Sequence, residues 1–154
     1  MSENDKLIRE LIQQENELQF DSFTDETALE LGLKLVETAK ARGHRITIGI
    51  TRADHRLFHF AFDGTSPDND VWVDRKCRAV MRFRMSSYRL GVELANQGLT
   101  IKERYLIGPE ECAPYGGAFP IVIRNVGVVG AIVVSGLAQE DDHALVVETL
   151  RSFL

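Results

Sequence analysis

A basic cluster near the middle of the chain is the first feature that could do chemistry. Arg75, Arg78 and Arg82 are spaced three and four residues apart, so they would line one face of a helix. Arginine side chains bind carboxylates and phosphates through paired hydrogen bonds. The face is therefore either a solvated surface that pairs with neighbouring acids or a docking site for an anionic ligand.

An acidic segment with one histidine follows the dipeptide Ser135-Gly136. Glu140 and His143 can share a helix face, and with Asp142 they could bind a metal ion if other segments supplied further ligands. The alternative is structural, because acids complement the positive end of a helix dipole and the histidine can hydrogen-bond a neighbouring loop. We predict no metal site from these residues alone. The same acids disfavour a phosphate site, because they would repel a phosphate.

A pair of glycines precedes a predicted strand at the sequence Tyr115-Gly116-Gly117. Consecutive glycines let the backbone approach a ligand or a neighbouring subunit closely. The predicted ligand-binding residues are Tyr115, Gly116, Gly117, Arg75, Arg78 and His143. No catalytic residue can be assigned, because the spatial arrangement that nucleophilic catalysis needs is not visible in a sequence. An enzymatic role therefore stays open and is not our first interpretation.

The spacing of apolar residues predicts the elements that must position these side chains. Alternating β-branched and aromatic residues favour two hairpins, and apolar residues three and four apart favour helices between them. The predicted helices are 3–18, 24–41, 70–95 with a break at Ser86-Ser87, and 138–154. The predicted strands are 46–52, 57–62, 120–124 and 129–136, with a loop at 63–70 and loop with short helix at 99–119. Hairpins imply an antiparallel sheet with helices packed on it.

The composition narrows the class of protein. The 154 residues fit one domain, residues 1–154, and the net charge of −5 disfavours a nucleic-acid-binding role. Cys77 and Cys112 form no CxxC motif and are typical of reduced thiols in the cytosol. The first residues lack the features of a signal peptide, and no apolar run approaches the ~20 residues of a membrane span. We expect a cytoplasmic protein that binds neither nucleic acid nor membranes.

Several motifs together resemble one known family, the haem-degrading (HbpS-like) domain family. They are the run from Tyr115 to Ile121, the run from Gly127 to Ala131, Val134 to Leu137, and Gln139 to His143. GTSPDND at 64–70, Trp72, Arg75-Lys76 and the run from Ser86 to Tyr88 resemble a branch catalogued as an uncharacterised protein family. That branch includes a yeast member linked to tail-anchored protein handling. The resemblance covers about residues 5 to 154.

The resemblance implies a fold and a mode of assembly. The fold would be an α/β (α+β), profilin-like sandwich, with a central antiparallel sheet of about five strands and helices on both faces. The chain would assemble into a homo-oligomer, commonly an octamer or a decamer. Close subunit packing would then be one use for the glycines of the GGAFP motif.

The resemblance also suggests a ligand. Haem-binding relatives tend to have a histidine where this chain has Tyr115, and tyrosine can also ligate haem iron. We therefore predict a homo-oligomer that binds haem or another small anionic ligand near a subunit interface. One alternative is a non-catalytic scaffold or interaction protein. A further alternative is a metal-assisted enzyme that uses Glu140, Asp142 and His143.

Overall fold

The computed structural model describes residues 1–154. One sheet of four antiparallel strands has the order β2-β1-β4-β3. The strands are β1 (Thr47–Arg52), β2 (His55–Ala61), β3 (Ala118–Ile123) and β4 (Gly127–Ser135). The helices are α1 (Glu3–Glu17), α2 (Asp25–Ala41), α3 (Pro67–Phe83), α4 (Ser87–Gln97), α5 (Ile101–Tyr105) and α6 (Gln139–Phe153). None of them is long and apolar enough to cross a membrane.

Both predicted hairpins are present. The β1–β2 turn places Ala53 at a φ of 53°, and the β3–β4 turn places Asn125 at a φ of 63°. Asparagine tolerates this left-handed conformation well, and it lets the strands turn back within a few residues. The two hairpins then join through the pairing of β1 with β4, which completes the antiparallel sheet.

Helices cover both faces of the sheet, as the resemblance implied. Alternation along β1 and β4 directs Ile48 and Ile132 to one face, where they pack in a fully buried core with Leu31 of α2 and Leu150 of α6. The other face carries small and β-branched residues, on which α3 packs through Val73 and Val80. These two layers bury the sheet from both sides.

The sheet has four strands rather than the predicted number of about five. The segment after α1 makes only a single parallel bridge at Phe20. Its amide donates to the Val122 carbonyl at 2.8 Å, and its carbonyl accepts from the Arg124 amide at 2.9 Å. The chain enters α2 at the Thr24 cap soon afterwards, so no fifth strand develops.

The predicted loop at 63–70 is wrong in its second half, because α3 begins at Pro67. Proline suits the first position of a helix, and the Asn69 side chain accepts the Ser66 amide proton at 3.0 Å. The predicted break at Ser86-Ser87 is confirmed. Arg84 adopts a φ of 61°, and the Ser86 hydroxyl then caps α4 by accepting the Arg89 amide proton at 3.1 Å.

Candidate functional site

Two cavities meet at Tyr115, in the segment between α5 and β3. The first, which we call the apolar cleft, has a volume of about 660 Å³ and lies between α1, α4, α5 and the 109–115 segment. The second, which we call the polar pocket, has a volume of about 310 Å³ and lies between α3, the end of β4 and the start of α6. Tyr115 and Gln139 line both cavities.

The apolar cleft has apolar walls and charged groups of one sign. Leu7 comes from α1, Leu94 from α4 and Ile101 from α5. The charged residues that line the cleft are Arg75 and Lys102, so every formal charge on its walls is positive. An apolar cavity with a few well-placed polar groups is typical of a site for an organic small molecule.

Arg75 is held in place at the cleft by its neighbours. Its Nε donates to the Pro109 carbonyl at 2.7 Å, and its guanidinium carbon lies 4.5 Å from the centre of the Trp72 ring. The Tyr115 ring packs edge-on against the same Trp72, with 5.8 Å between ring centres. The terminal nitrogens of Arg75 have no hydrogen-bond partner in the protein, so they can meet an anionic group.

Arg78 lies elsewhere, although the sequence placed it in the same predicted site. Its guanidinium donates to the carbonyls of Glu110 and Glu111 and lines neither cavity. The structure therefore brings Arg75 to Tyr115 and uses Arg78 to fasten the loop that follows α5. The arginine face of α3 is partly a support for this loop.

The polar pocket contains a buried ion pair. Lys76 is 3% exposed, and its Nζ donates to Asp142 at 3.1 Å and to the Val134 carbonyl at 3.2 Å. Asp142 is 1% exposed, and its second oxygen accepts the Leu137 amide proton at 3.0 Å. Burial lowers the pKa of Lys76 and the nearby carboxylate partly opposes this shift. Burial likewise raises the pKa of Asp142.

The paired glycines make room for this ion pair and for the start of α6. Gly117 has a φ of 140°, and a Cβ there would lie 2.3 Å from the Val134 carbonyl oxygen and 2.7 Å from Lys76 Nζ. A Cβ on Gly116 would lie 2.2 Å from the Gln139 carbonyl oxygen. The close approach that these glycines allow is between two parts of the same chain, whereas the sequence suggested a ligand or a neighbouring subunit.

His143 lies behind the cleft and not on its wall. Its Nε2 donates to the Gln14 side-chain oxygen at 2.7 Å, and its ring centre is 5.0 Å from that of Tyr88, a cleft residue. The ring is 4% exposed, and burial lowers its pKa from 6.5 to about 4. His143 Nδ1 is buried without a partner, so the ring is neutral near pH 7.

The three residues of the metal hypothesis do not converge. Glu140 is exposed, Asp142 is bound to Lys76, and His143 is bound to Gln14. No group of three or more histidine, cysteine, aspartate or glutamate side chains is arranged to hold a metal ion. A site made of these three residues would require Asp142 and His143 to give up these hydrogen bonds.

Sequence reasoning missed the importance of Lys76, which it named only within the Arg75-Lys76 motif of the family resemblance. A signal was present in the spacing. Lys76 comes three residues after Val73 and four before Val80, and both valines lie on the buried face of α3. A lysine on such a stripe must be buried, and a buried lysine needs a partner.

Comparison with known proteins identifies relatives along almost the whole chain. Residues 23–151 match the family model described as "Haem degrading protein HbpS-like". A UPF0303 protein of Streptomyces coelicolor is 45% identical over 147 residues, which cover 96% of this chain and 93% of that protein.

Solved structures confirm the fold. The crystal structure of the Ybr137w protein aligns with a TM-score of 0.89 and 30% identity, over 95% of this chain and 86% of the other. The crystal structure of a PduOC–haem complex aligns with a TM-score of 0.68, over 86% of this chain and 94% of the other. Its identity is 17%, so that likeness shows a common fold alone.

Proposed function

The chain belongs to the HbpS-like family, and from that premise we propose that it binds haem, or an anion of similar shape, in the apolar cleft. The observation that carries this proposal is the combination of apolar walls with Arg75 and Lys102 as their charged residues. Haem is a flat, largely apolar molecule with two carboxylates. The walls would bury its macrocycle, and the two cations would meet its carboxylates.

Tyr115 is the residue that we propose as a ligand of the iron. Its side chain is 47% exposed, lines the cleft, and is steadied by the edge-on contact with Trp72. Phenolate oxygen is an established haem ligand, and Arg75 packs on the same Trp72 ring as Tyr115. Bound haem would supply redox or electron-transfer chemistry, and this chain would supply the binding, orientation and electrostatic environment.

Two facts support haem over an unrelated small anion. The family model carries a haem-degrading description, and one protein of the same fold has been crystallised with haem. The cleft residues add an independent argument, because a small hydrophilic anion would leave the partly exposed apolar side chains of the wall, Leu7 and Leu99, in contact with water.

The test is a haemin titration followed in the Soret region of the absorbance spectrum. We expect a saturable, shifted band with the unmodified protein and a weaker or differently placed band with Tyr115→Phe. Tyr105→Phe is the matched control, because Tyr105 packs on Phe83 and lines neither cavity. A band no stronger than that of a non-binding control protein would refute haem binding. Identical spectra for Tyr115→Phe and the unmodified protein would refute the role of Tyr115.

We also propose that the chain assembles with copies of itself at the rim of the cleft. Leu106 is 89% exposed immediately after α5 and has a φ of 59°, which is unfavourable for a bulky residue. Leu99, on the cleft wall, is 36% exposed, so an apolar surface continues around α5. A second subunit would remove this surface from water.

Sedimentation velocity tests the assembly. Leu106→Asn should shift the protein toward smaller species without loss of folding, because asparagine tolerates the left-handed conformation. Val126→Asn is the matched control, since Val126 is 70% exposed on the β3–β4 turn, outside the α5 surface. Equal sedimentation of the unmodified protein and the Leu106 variant would place any interface elsewhere.

A further inference from the structure

We propose that Lys76 forms an imine with a small, neutral hydroxyaldehyde or hydroxyketone in the polar pocket, and that Asp142 moves the protons of this reaction. This proposal is independent of haem binding, because the polar pocket is a separate cavity that shares only Tyr115 and Gln139 with the apolar cleft. It gives a function to the buried amine of Lys76 and the buried carboxylate of Asp142, neither of which lines the apolar cleft.

The geometry around Lys76 suits a nucleophile. A neutral amine has two N–H groups and one lone pair. Lys76 has two acceptors, Asp142 at 3.1 Å and the Val134 carbonyl at 3.2 Å. With both N–H groups so engaged, the lone pair is left without a protein partner. Burial favours this neutral form, because it lowers the pKa of the amine.

The backbone nearby is shaped around the amine. Gly117 holds a φ of 140°, and any side chain there would overlap both Lys76 Nζ and the Val134 carbonyl oxygen. Lys76 lines the polar pocket although its side chain is 4% exposed, so the amine lies at the inner end of the cavity. A ligand would reach it between the aromatic rings of Trp72 and Tyr115, which line the same pocket.

The other lining groups indicate the class of ligand. Asn69 and Gln139 each use the side-chain oxygen to accept a backbone amide proton, from Ser66 and Gly116 respectively, so their NH2 groups have no protein partner. The Ser135 hydroxyl, at the end of β4, also lines the pocket. These groups match the hydroxyls and carbonyl of a small polar molecule.

The charge of the pocket disfavours an anionic ligand. Two lining residues are carboxylates, Asp68 and Asp142, and one is a cation, Lys76. When the pair is ionised the lining is negative by one charge, and when Lys76 alone is neutral it is negative by two. The cavity volume of about 310 Å³ is also less than half that of the apolar cleft, at about 660 Å³. A small neutral carbonyl compound with hydroxyl groups fits both properties.

The reaction balances without any further reagent. The Lys76 nitrogen attacks the carbonyl carbon, and the carbonyl π electrons move to the oxygen. Asp142 carries one proton from this nitrogen to that oxygen, which gives the hydroxyl of a carbinolamine. It then carries the second nitrogen proton to the hydroxyl, which leaves as water while the C=N bond forms. The products are the imine and one water molecule, and Asp142 ends in the state in which it began.

The experiment traps the imine in the intact, unmodified protein. Dihydroxyacetone is the probe, and sodium cyanoborohydride supplies the hydride that reduces the imine to a stable secondary amine. Peptide mass spectrometry then gives the labelling rate of each lysine. The other four lysines are Lys6, Lys34, Lys40 and Lys102. All of them are more exposed than Lys76, so ordinary surface chemistry would label Lys76 last.

We expect Lys76 to be labelled on the order of tenfold faster than the other lysines, because the neighbouring carboxylate assists the proton transfers. Asp142→Asn should slow labelling at Lys76 and leave labelling at Lys102 unchanged. A Lys76 that is labelled no faster than the exposed lysines of the same molecules would overturn the proposal. That comparison needs no variant, so it does not depend on whether a substituted protein folds.

The outcome is separable from that of the haem proposal. Haemin should fill the apolar cleft and leave the labelling rate of Lys76 within a few-fold of its value without haemin. Loss of haemin binding with retained labelling would remove the cleft proposal alone. Retained haemin binding with unselective labelling would remove the imine proposal alone.

Discussion

The apolar cleft and the polar pocket adjoin at Tyr115, and they differ in where their charges lie. In the cleft, Arg75 and Lys102 lie among apolar lining residues, and Lys102 is exposed to water. In the pocket, Lys76 and Asp142 are almost completely buried and bound to each other. A charge at the rim of a cavity is free to bind a ligand, whereas a buried pair also supports the fold.

This difference implies that mutations in the two cavities have different effects on affinity and stability. Substitutions of the charged side chains in the cleft should change affinity and leave stability almost intact. Substitutions in the pocket should change stability first, because Lys76 joins α3 to β4 and to the start of α6. The predictions below test this contrast, beginning with the largest expected effect.

Removal of one partner of the buried pair should lower the free energy of unfolding more than any other substitution. Lys76→Met leaves Asp142 buried without its cation, and we expect the free energy of unfolding to fall by about 3–5 kcal/mol. Lys102→Met, in the cleft, should change it by less than about 0.5 kcal/mol. Urea unfolding followed by circular dichroism measures both values. Similar values for the two variants would show that the pocket and the cleft do not differ in this way.

Acidification should lower the free energy of unfolding through His143, which lies behind the cleft. Burial lowers its pKa from 6.5 to about 4. Between these pH values the unfolded chain binds a proton that the folded chain does not. The free energy of unfolding therefore decreases as the pH falls through this window, by up to about 3 kcal/mol.

Burial raises the pKa of Glu15 and Asp142, so these two groups make the folded protein more stable as the pH falls. The contribution of His143 is therefore measured by comparing the unmodified protein with a variant that lacks this histidine. The stability of His143→Gln should fall less steeply between pH 6.5 and 4 than that of the unmodified protein. His55→Gln, at an exposed position of β2, should keep the original slope. An unchanged slope in His143→Gln would contradict the assignment.

Gly117 lies against Lys76 of the polar pocket and Gly91 lines the apolar cleft, so the two glycines give a matched pair of substitutions. Gly117→Ala would place a Cβ against Lys76 and the Val134 carbonyl, and Gly91→Ala would place one 2.1 Å from the Pro114 carbonyl oxygen beside the cleft. We expect each to cost about 1–3 kcal/mol of stability. Gly117→Ala should mainly reduce labelling of Lys76, and Gly91→Ala should mainly alter haemin binding. The reverse pattern would contradict the assignment of the two walls.

The smallest effect is expected from a substitution of Arg75 in the apolar cleft. Arg75→Gln should weaken haemin binding by about five- to tenfold, which corresponds to about 1 kcal/mol, and the weakening should shrink at high salt. Arg78→Gln is the control, because Arg78 binds the loop carbonyls of Glu110 and Glu111 and lines neither cavity. Fluorescence or absorbance titration gives both affinities. Equal haemin affinities for the two variants would show that Arg75 does not contribute to haemin binding.

Much of the fold could be predicted because its signals are local. The hairpins follow from alternation in β1 to β4, and the break between α3 and α4 follows from Ser86-Ser87. The start of α3 could not be placed, because GTSPDND has loop composition while Pro67 and Asn69 are also good residues for a helix start. The single bridge at Phe20 depends on tertiary packing, which leaves no periodic pattern in the sequence.

The candidate site could be predicted only in part. Tyr115 and Arg75 were both predicted as ligand-binding residues, and the structure places both on the walls of the apolar cleft. Their separation from Arg78 depends on the path of the loop after α5, which helical spacing alone does not reveal. The partnership of Lys76 with Asp142 spans 66 residues of sequence, so only the folded chain brings the two together.

A crystal structure of the protein with haemin bound tests the central claim most directly. We predict that the macrocycle lies in the apolar cleft between α1 and α4, with its carboxylates toward Arg75 and Lys102 and the Tyr115 oxygen on the iron. The Lys76–Asp142 pair should remain intact beside it. Haemin bound at another surface, or an empty cleft in crystals grown with saturating haemin, would contradict the account.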